Sequence, residues 1–200
     1  MFTGIVQAVG QIVRTNPLEV DSGSLDLAGV AVGDSICVQG VCLTVAAIRG
    51  RAFTADVSAE TLRVTAGLDR PGAVNLEKSL AMGEKLGGHL VTGHVDGVGQ
   101  VRKKTGSVVT FELPKALARY VAAKGSICVD GVSLTVNRVN GRQFEVNLIP
   151  HTLEVTTLSR LALGVRVNLE VDPIARYVER MLSSVGRRKA RAGSSARTRR

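Results

Sequence analysis

The chain has 200 residues, 44% apolar and 22% charged, with no Trp and few aromatics, so its cores must be built mainly from Val, Leu, Ile and Ala. That length suits one medium domain or two small ones, no apolar run is long enough to span a bilayer, and an odd set of three cysteines (Cys37, Cys42, Cys128) does not make a disulfide framework. The formal charge of +9 invites a nucleic-acid reading, but seven Lys and Arg with no acid lie from Arg187 to Arg200, and removing those seven from +9 leaves only +2 for the rest.

The opening residues, Met1-Phe2-Thr3-Gly4-Ile5-Val6, lack the charged start and long apolar region of a signal peptide, so a cytoplasmic protein is expected. The next signal is a repeat. Val38-Gln39-Gly40-Val41-Cys42-Leu43-Thr44-Val45 returns as Val129-Asp130-Gly131-Val132-Ser133-Leu134-Thr135-Val136, changed only at Gln39/Asp130 and Cys42/Ser133. The Ser-Ile-Cys-Val beginning at Ser35 returns at Ser126, and Thr61-Leu62 returns as Thr152-Leu153. Thr3-Gly4-Ile5-Val6 matches Thr92-Gly93-His94-Val95, and Val74-Asn75-Leu76-Glu77 matches Val167-Asn168-Leu169-Glu170. These matches divide the chain into two copies, 1–89 and 90–171.

Within each copy the pattern is β. Phe144, Val146 and Leu148 alternate with Gln143, Glu145 and Asn147, as in a strand with one wet face, and Asn140-Gly141 before it predicts a type I′ hairpin turn. The first copy has Arg49-Gly50 there, a weaker turn signal. Short strands joined by Gly-rich turns favour a small closed barrel for each copy. Pro114 and apolar residues at helical spacing predict a short helix within 113–122 of the second copy. After Val171, Asp172-Pro173 is an N-cap followed by Pro at the first helical position. Ile174, Tyr177, Val178, Met181, Leu182 and Val185 then line one face of a helix over 172–186, which must dock on its own barrels or on another subunit. The tail 187–200 mixes basic residues with Gly and Ser; it reads as disordered, and without stacking aromatics no specific nucleic-acid partner is expected.

No metal site is expected: His89 and His94 have no third ligand at suitable spacing, and His151 is distant in sequence. Gly93-His94-Val95-Asp96-Gly97-Val98-Gly99 does not fit a dinucleotide fingerprint. Cys42 and Ser133 occupy one equivalent slot, either as two small buried side chains or as a nucleophile or polar contact in one copy only. His94 stands where the first copy has Ile5, which puts a proton carrier in an apolar slot, or a surface His on a glycine-rich loop. Lys124 is a turn residue or a ligand contact, and Asp172 a helix cap or a polarising charge.

Met1-Phe2-Thr3-Gly4-Ile5-Val6, Gly40-Val41-Cys42-Leu43-Thr44-Val45, the stretch Asp56 to Leu62, Gly87-Gly88-His89 with Gly93-His94-Val95-Asp96-Gly97, and Asp130-Gly131-Val132-Ser133-Leu134-Thr135-Val136 together resemble the riboflavin synthase family, over residues 1–185. Gln39 departs from the Asn common there. The resemblance implies a mainly β protein of two tandem six-stranded antiparallel closed β-barrels plus a C-terminal α-helix. It implies a homotrimer held by those helices, with an association with lumazine synthase left open. It implies that two molecules of 6,7-dimethyl-8-ribityllumazine dismutate, without metal or organic cofactor, to riboflavin and 5-amino-6-(D-ribitylamino)uracil. The working site would lie between the N-terminal barrel of one subunit and the C-terminal barrel of the next.

Carried over residue by residue, the first-barrel pocket is Gly4, Ile5 and Val6, then Cys42, Leu43 and Thr44, then Asp56, Val57, Ser58, Ala59, Glu60 and Thr61, with Phe2 and Ser35 lining its side. The second is Gly93, His94 and Val95, with Lys124, then Ser133, Leu134 and Thr135, then Asn147, Leu148, Ile149, Pro150, His151 and Thr152. The expected catalytic set is Ser133, His94, Cys42, Lys124 and Asp172. A nucleophile adds at ring carbon 7 of the donor, and the acceptor loses a proton from its acidic 7-methyl group. The alternative is a non-catalytic lumazine- or flavin-binding protein of the same superfamily; such proteins tend to lose the second-half polar set that Ser133, His94 and Lys124 keep here.

Overall fold

The computed structural model describes residues 1–183. The end of the expected helix, Val185 included, and the tail 187–200 lie outside the described residues. Stretches of alternating burial and short runs of continuous burial build six strands from each copy. These are β1 (Ala8–Thr15), β2 (Leu18–Asp21), β3 (Ser35–Val38), β4 (Val41–Arg49), β5 (Ala52–Ala55) and β6 (Gly72–Lys78), then β7 (Gly97–Thr105), β8 (Val108–Glu112), β9 (Ser126–Val129), β10 (Val132–Asn140), β11 (Gln143–Asn147) and β12 (Arg166–Val171). Each set closes as an antiparallel barrel, β1-β2-β5-β4-β3-β6 and, in the same order six strands later, β7-β8-β11-β10-β9-β12. The bulges are duplicated too: the register slips between Ile12 and Arg14 and again between Val101 and Lys103, and between Val45 and Ala47 and again between Val136 and Arg138. A bulge bends a strand and tightens its twist, which is what a short strand needs to turn around so small a barrel.

The β10–β11 turn is Gly141-Arg142, one residue later than expected, because Asn140 pairs with Gln143. Only Gly141 takes positive φ, at 58°, which fits a type II′ turn with Gly at its first central position. Gly50-Arg51 does the same in the first copy, with φ 59° and Arg49 paired to Ala52, so the two hairpins are alike despite their different preceding residues. The helix expected within 113–122 is a 3₁₀ segment, Lys115–Tyr120, behind Pro114. Two short helices appear at matching places after β5 and β11: α1 (Ala59–Val64), capped by Ser58, and α2 (Pro150–Val155), with Pro at its first turn. A third helix, α3, covers 173–183, and no helix among the described residues is long and apolar enough to cross a membrane.

The barrels have separate aliphatic cores, one around Ile12, Val20, Ile36, Phe53 and Leu76, the other around Val101, Phe111, Ile127, Phe144 and Leu169. They meet through equivalent residues. Gly40 and Gly131 face each other; a Cβ on Gly40 would lie 2.8 Å from the Gly131 nitrogen, and one on Gly131 would lie 3.0 Å from the Gly40 nitrogen. Asn75 Nδ2 donates to the Asp130 carbonyl at 2.8 Å, and Asn168 Nδ2 to the Gln39 carbonyl at 2.9 Å. The side-chain oxygens of these asparagines accept from the Thr157 and Ala66 amides at 2.8 and 2.7 Å. Phe2 and Val91 exchange backbone hydrogen bonds at 2.7 and 3.1 Å. Each contact and its mirror image relate the copies by a pseudo-twofold axis, the isologous arrangement of a symmetric dimer inside one chain.

Both Gly40 (φ 84°) and Gly29 (φ 78°) need the left-handed region, but a Cβ on Gly29 meets nothing within 4 Å. Gly29→Ala is therefore expected to cost about 1–2 kcal/mol of backbone strain, and Gly40→Ala distinctly more, because the barrels must also move apart. Urea unfolding of the two variants checks this; equal losses would mean that the close approach at Gly40 carries no weight.

Candidate functional site

Each barrel is preceded by a leader, residues 2–7 before β1 and 91–96 before β7. A buried glutamate at the end of its own barrel holds each leader. Glu77, on β6, accepts from the Thr3 amide and hydroxyl, both at 2.7 Å, and from the Gly4 amide at 3.0 Å. Glu170, on β12, accepts from the Thr92 amide and hydroxyl, both at 2.7 Å, and from the Gly93 amide at 2.9 Å. The chain then turns through Gly4 (φ 74°) and Gly93 (φ 76°) and reaches the other barrel. The Gly4 carbonyl accepts from the Ser133 amide at 2.8 Å, and the Gly93 carbonyl from the Cys42 amide at 2.8 Å. Val6 packs on the core of the second barrel and Val95 on that of the first.

This crossing regroups the expected pockets. Gly4, Ile5 and Val6 sit with Ser133, Leu134 and Thr135, whereas Gly93, His94 and Val95 sit with Cys42, Leu43 and Thr44. The Ser133 and Cys42 slots are equivalent in position and half-buried, which fits neither a plain core filler nor a surface side chain. They differ in partners. Ser133 Oγ lies 2.7 Å from Nδ1 of His89, the tautomer deciding which atom donates. Cys42 instead packs beside the buried cluster of Phe2, Cys37, Val91 and Cys128. Phe2 is completely buried there, so it backs Cys42 and does not itself line an open pocket.

His89 is the partner of Ser133 that sequence reasoning does not assign to the site. The sequence places it only in a family motif and against metal-ligand spacing, and its Gly87-Gly88-His89 stretch has no match in the other copy. The stretch carries a signal nonetheless: a Cβ on Gly88 would lie 2.1 Å from the Thr3 carbonyl oxygen and 2.9 Å from Ser133 Cβ, so only glycine lets His89 close over Ser133. His89 is 8% exposed, and its Nε2 is buried with no hydrogen-bond partner among the described residues. Burial pulls its pKa below the usual value, and the Asp172 charge opposes that. Asp172 also caps α3, its Oδ1 accepting from the Ile174 amide at 2.9 Å. His94, expected in one pocket with Ser133, follows the Gly93 that bonds Cys42 instead; it is exposed and close enough to Asp96 to be felt by that carboxyl.

Lys124 takes φ 67° where the first copy has Gly33 at φ 96°, and the two amides make the same bond, to the Val136 and Val45 carbonyls. Holding a lysine in the left-handed region, where its counterpart is glycine, costs backbone energy. Its ammonium is exposed, as are Thr44, Thr135, Asp56, Ser58, Ala59, Glu60, Asn147, Pro150, His151 and, at 48% and 55%, the apolar Ile5 and Ile149. Val57, Thr61 and Thr152 are half-buried, Leu43, Leu134 and Leu148 are buried, and Ser35 is half-buried opposite Thr44 on β3. Asp56 to Thr61 and Asn147 to Thr152 form the entries to α1 and α2, on opposite halves of the molecule.

A cleft of about 180 Å³ lies on the pseudo-twofold axis between Gln39 and Asp130, and its lining includes neither Cys42 nor Ser133. At its floor, burial pushes the Asp130 carboxyl up to about 7, against the Asn168 amide and Gln39, which pull it down. Gln39 and Asp130 take φ 51° and 50° and make the same bond, to the Asn75 and Asn168 amides at 2.9 and 2.7 Å, so Gln39 leaves that turn's geometry intact.

Comparison with known proteins gives one consistent result. The lumazine binding domain matches twice, over residues 3–79 and 92–172. The riboflavin synthase of Mycobacterium tuberculosis (strain ATCC 25618 / H37Rv) is 50% identical over 202 residues, covering 93% of this chain and all of that protein. That of Photobacterium phosphoreum is 43% identical over 91% of this chain and 89% of its own length. Among solved structures, LumP complexed with 6,7-dimethyl-8-(1'-D-ribityl) lumazine superposes with a TM-score of 0.73 at 26% identity, covering 86% of this chain and 99% of LumP. LumP complexed with riboflavin gives 0.75 at 28%, with the same coverage.

The buried imidazole sets a pH dependence. Its folded-state pKa lies below the ordinary 6.5, so the unfolded chain binds the proton more readily and His89 opposes folding increasingly as the pH falls below about 6.5. Asp130, raised to about 7, has the opposite sign and loses its contribution as the pH rises through that value. His89→Gln is expected to lose less stability than the parent between about pH 7.5 and about pH 5, read from urea midpoints. An unchanged difference would place no depressed titration at His89.

Proposed function

The chain belongs to the riboflavin synthase family, and from that premise we propose how its two halves share one reaction. Two molecules of 6,7-dimethyl-8-ribityllumazine give riboflavin and 5-amino-6-(D-ribitylamino)uracil by transfer of a four-carbon unit. Substrates and products contain the same atoms, so no oxidant is needed. The observation that carries the reading is the crossed equivalence of the Gly4–Ser133 and Gly93–Cys42 junctions. Two copies of one flat molecule call for two similar pockets, and each junction offers backbone groups beside a small residue, where a ring can approach closely. Holding two rings in place before they react offsets the entropy of a bimolecular step.

Ser133 and His89 supply the proton-handling half. A neutral imidazole hydrogen-bonded to the Ser133 hydroxyl can accept a proton through that oxygen. The acidic 7-methyl group of one lumazine gives up that proton, and the carbanion left behind adds to a ring C=N of the other, activated by a nucleophile at its carbon 7, with the electron pair of the broken π bond moving to nitrogen. Cys42, with His94 next to Gly93, serves the second ring, and Lys124 reaches the Ser133 side with its charge. The three free cysteines fit a reducing cytoplasm.

The working assembly is a homotrimer whose helices α3 pack together. Ile174, Tyr177, Val178, Met181 and Leu182 are between 49% and 73% exposed in the single chain, although Glu179 of the same helix already pairs with Arg119 of its own barrel at 2.9 Å. An apolar stripe on a helix docked by its polar side needs a second surface to bury it. The exposed Ile5 and Ile149 gain cover if the N-terminal barrel of one subunit faces the C-terminal barrel of the next.

With excess lumazine the protein is expected to release riboflavin continuously; stoichiometric binding without release would make it a lumazine-binding antenna instead. Ser133→Ala and His89→Gln are each expected to lower turnover by about a hundredfold or more, and full activity in both would remove them from the chemistry. Sedimentation equilibrium should give three times the chain mass. Tyr177→Glu combined with Val178→Glu should give single chains that keep their fold by circular dichroism but lose turnover; active single chains would sink the composite site.

A further inference from the structure

We propose that Glu77 and Glu170 are positioning residues that act crosswise, each fixing from one barrel the pocket that belongs to the other. The proposal rests on the two-pocket reading above. Glu77 and Glu170 are 4% and 2% exposed, and neither makes an ion pair among the described residues. A carboxylate buried without a cation is an expensive anchor. Burial indeed raises the Glu77 pKa, and its bonds from Thr3 and Gly4 resist that rise.

What a carboxylate offers here is acceptors only. Three donors meet each one: two amides of successive residues and the hydroxyl between them. The same hydroxyl also accepts from the amide two residues on, Ile5 at 3.2 Å and His94 at 3.3 Å. The leader is therefore pinned at three consecutive amides immediately before its side chains enter the opposite pocket. The Glu77 carboxylate sets the carbonyl of Gly4, which holds the Ser133 amide, and its leader also holds His89, whose amide donates to the Thr3 carbonyl at 3.1 Å. Glu170 sets Gly93, which holds the Cys42 amide. The shape of the Ser133 pocket thus depends on the first barrel, and that of the Cys42 pocket on the second.

A glutamine in either place is isosteric but turns one acceptor into a donor facing an amide N–H. Glu77→Gln and Glu170→Gln, in the full-length protein, separate the crossed role from a local one. Amide hydrogen exchange, followed by NMR on deuterated protein, should quicken about tenfold or more at Ser133 in Glu77→Gln and at Cys42 in Glu170→Gln. The amide in the other pocket, and those of Phe53 and Phe111 in the cores, should keep their parent rates. Lumazine titration, read at the amides of Thr135 and Thr44, should weaken by a similar factor at Thr135 alone in the first variant and at Thr44 alone in the second. Acceleration of both amides equally, or of the amide in the same barrel as the substitution, overturns the proposal. If either variant does not fold, Thr3→Val and Thr92→Val remove one donor each; they should give the same crossed pattern at smaller amplitude, and an uncrossed pattern there is equally fatal. The exchange readout needs no ligand, so a parent protein that binds no lumazine would refute the functional reading while leaving the crossed anchors to stand or fall by exchange alone.

Discussion

The molecule depends on a place where two backbones come too close for a side chain. Gly40 and Gly131 meet there, and the reciprocal asparagines Asn75 and Asn168 reach across to the carbonyls beside them. Because those asparagines are buried, their amide groups must be satisfied, and they find their partners in the opposite copy's turn and in the second residue beyond its short helix. The interface is thus fixed in register by polar groups, while the two aliphatic cores stay separate. Crossing of the leaders follows from this register: once the barrels are locked back to back, the segment before each first strand runs over its neighbour.

Symmetry of the frame makes its exceptions informative. Cys42 against Ser133, Gln39 against Asp130, Gly33 against Lys124 and Ile5 against His94 are all differences at equivalent points. Two of them change what the site can do with a proton. Ser133 has an imidazole closed over it, through a glycine pair that has no counterpart in the first copy, whereas Cys42 has only apolar company and an exposed histidine one residue past its backbone partner. Two junctions of one backbone shape thus carry different side chains.

Much of this was legible in the amino-acid sequence, because a duplicated sequence reports a duplicated fold directly. One hairpin, a small closed barrel per copy and the terminal helix followed from alternation, turn residues and the offset between copies, and the count of six strands per barrel from the family resemblance. What the offset does not carry is which copy a segment touches. Thr3 and Glu77 lie 74 residues apart and Thr92 and Glu170 78 apart, and nothing local says that the glycine after each threonine faces the other barrel. The repeat groups Gly4 with Cys42, whereas within the chain the Gly4 carbonyl meets the Ser133 amide. The hairpin turn shows the same limit on a smaller scale: Asn140-Gly141 has the composition of one turn class, but pairing of Asn140 with Gln143, set by the bulge near Asn137, selects another. The contact of His89 with Ser133 is hidden for a related reason, since it exists only where the segment between the copies folds back.

A duplication usually leaves a lineage with a spare: one copy can drift, shrink or be lost while the other keeps working. The crossed leaders remove that freedom. Within one chain, removal of either half would leave the other barrel without the segment that crosses onto it. The halves are near-copies in sequence, yet each borrows part of its wall from its neighbour. Interlocking of this kind makes two similar modules one structural unit.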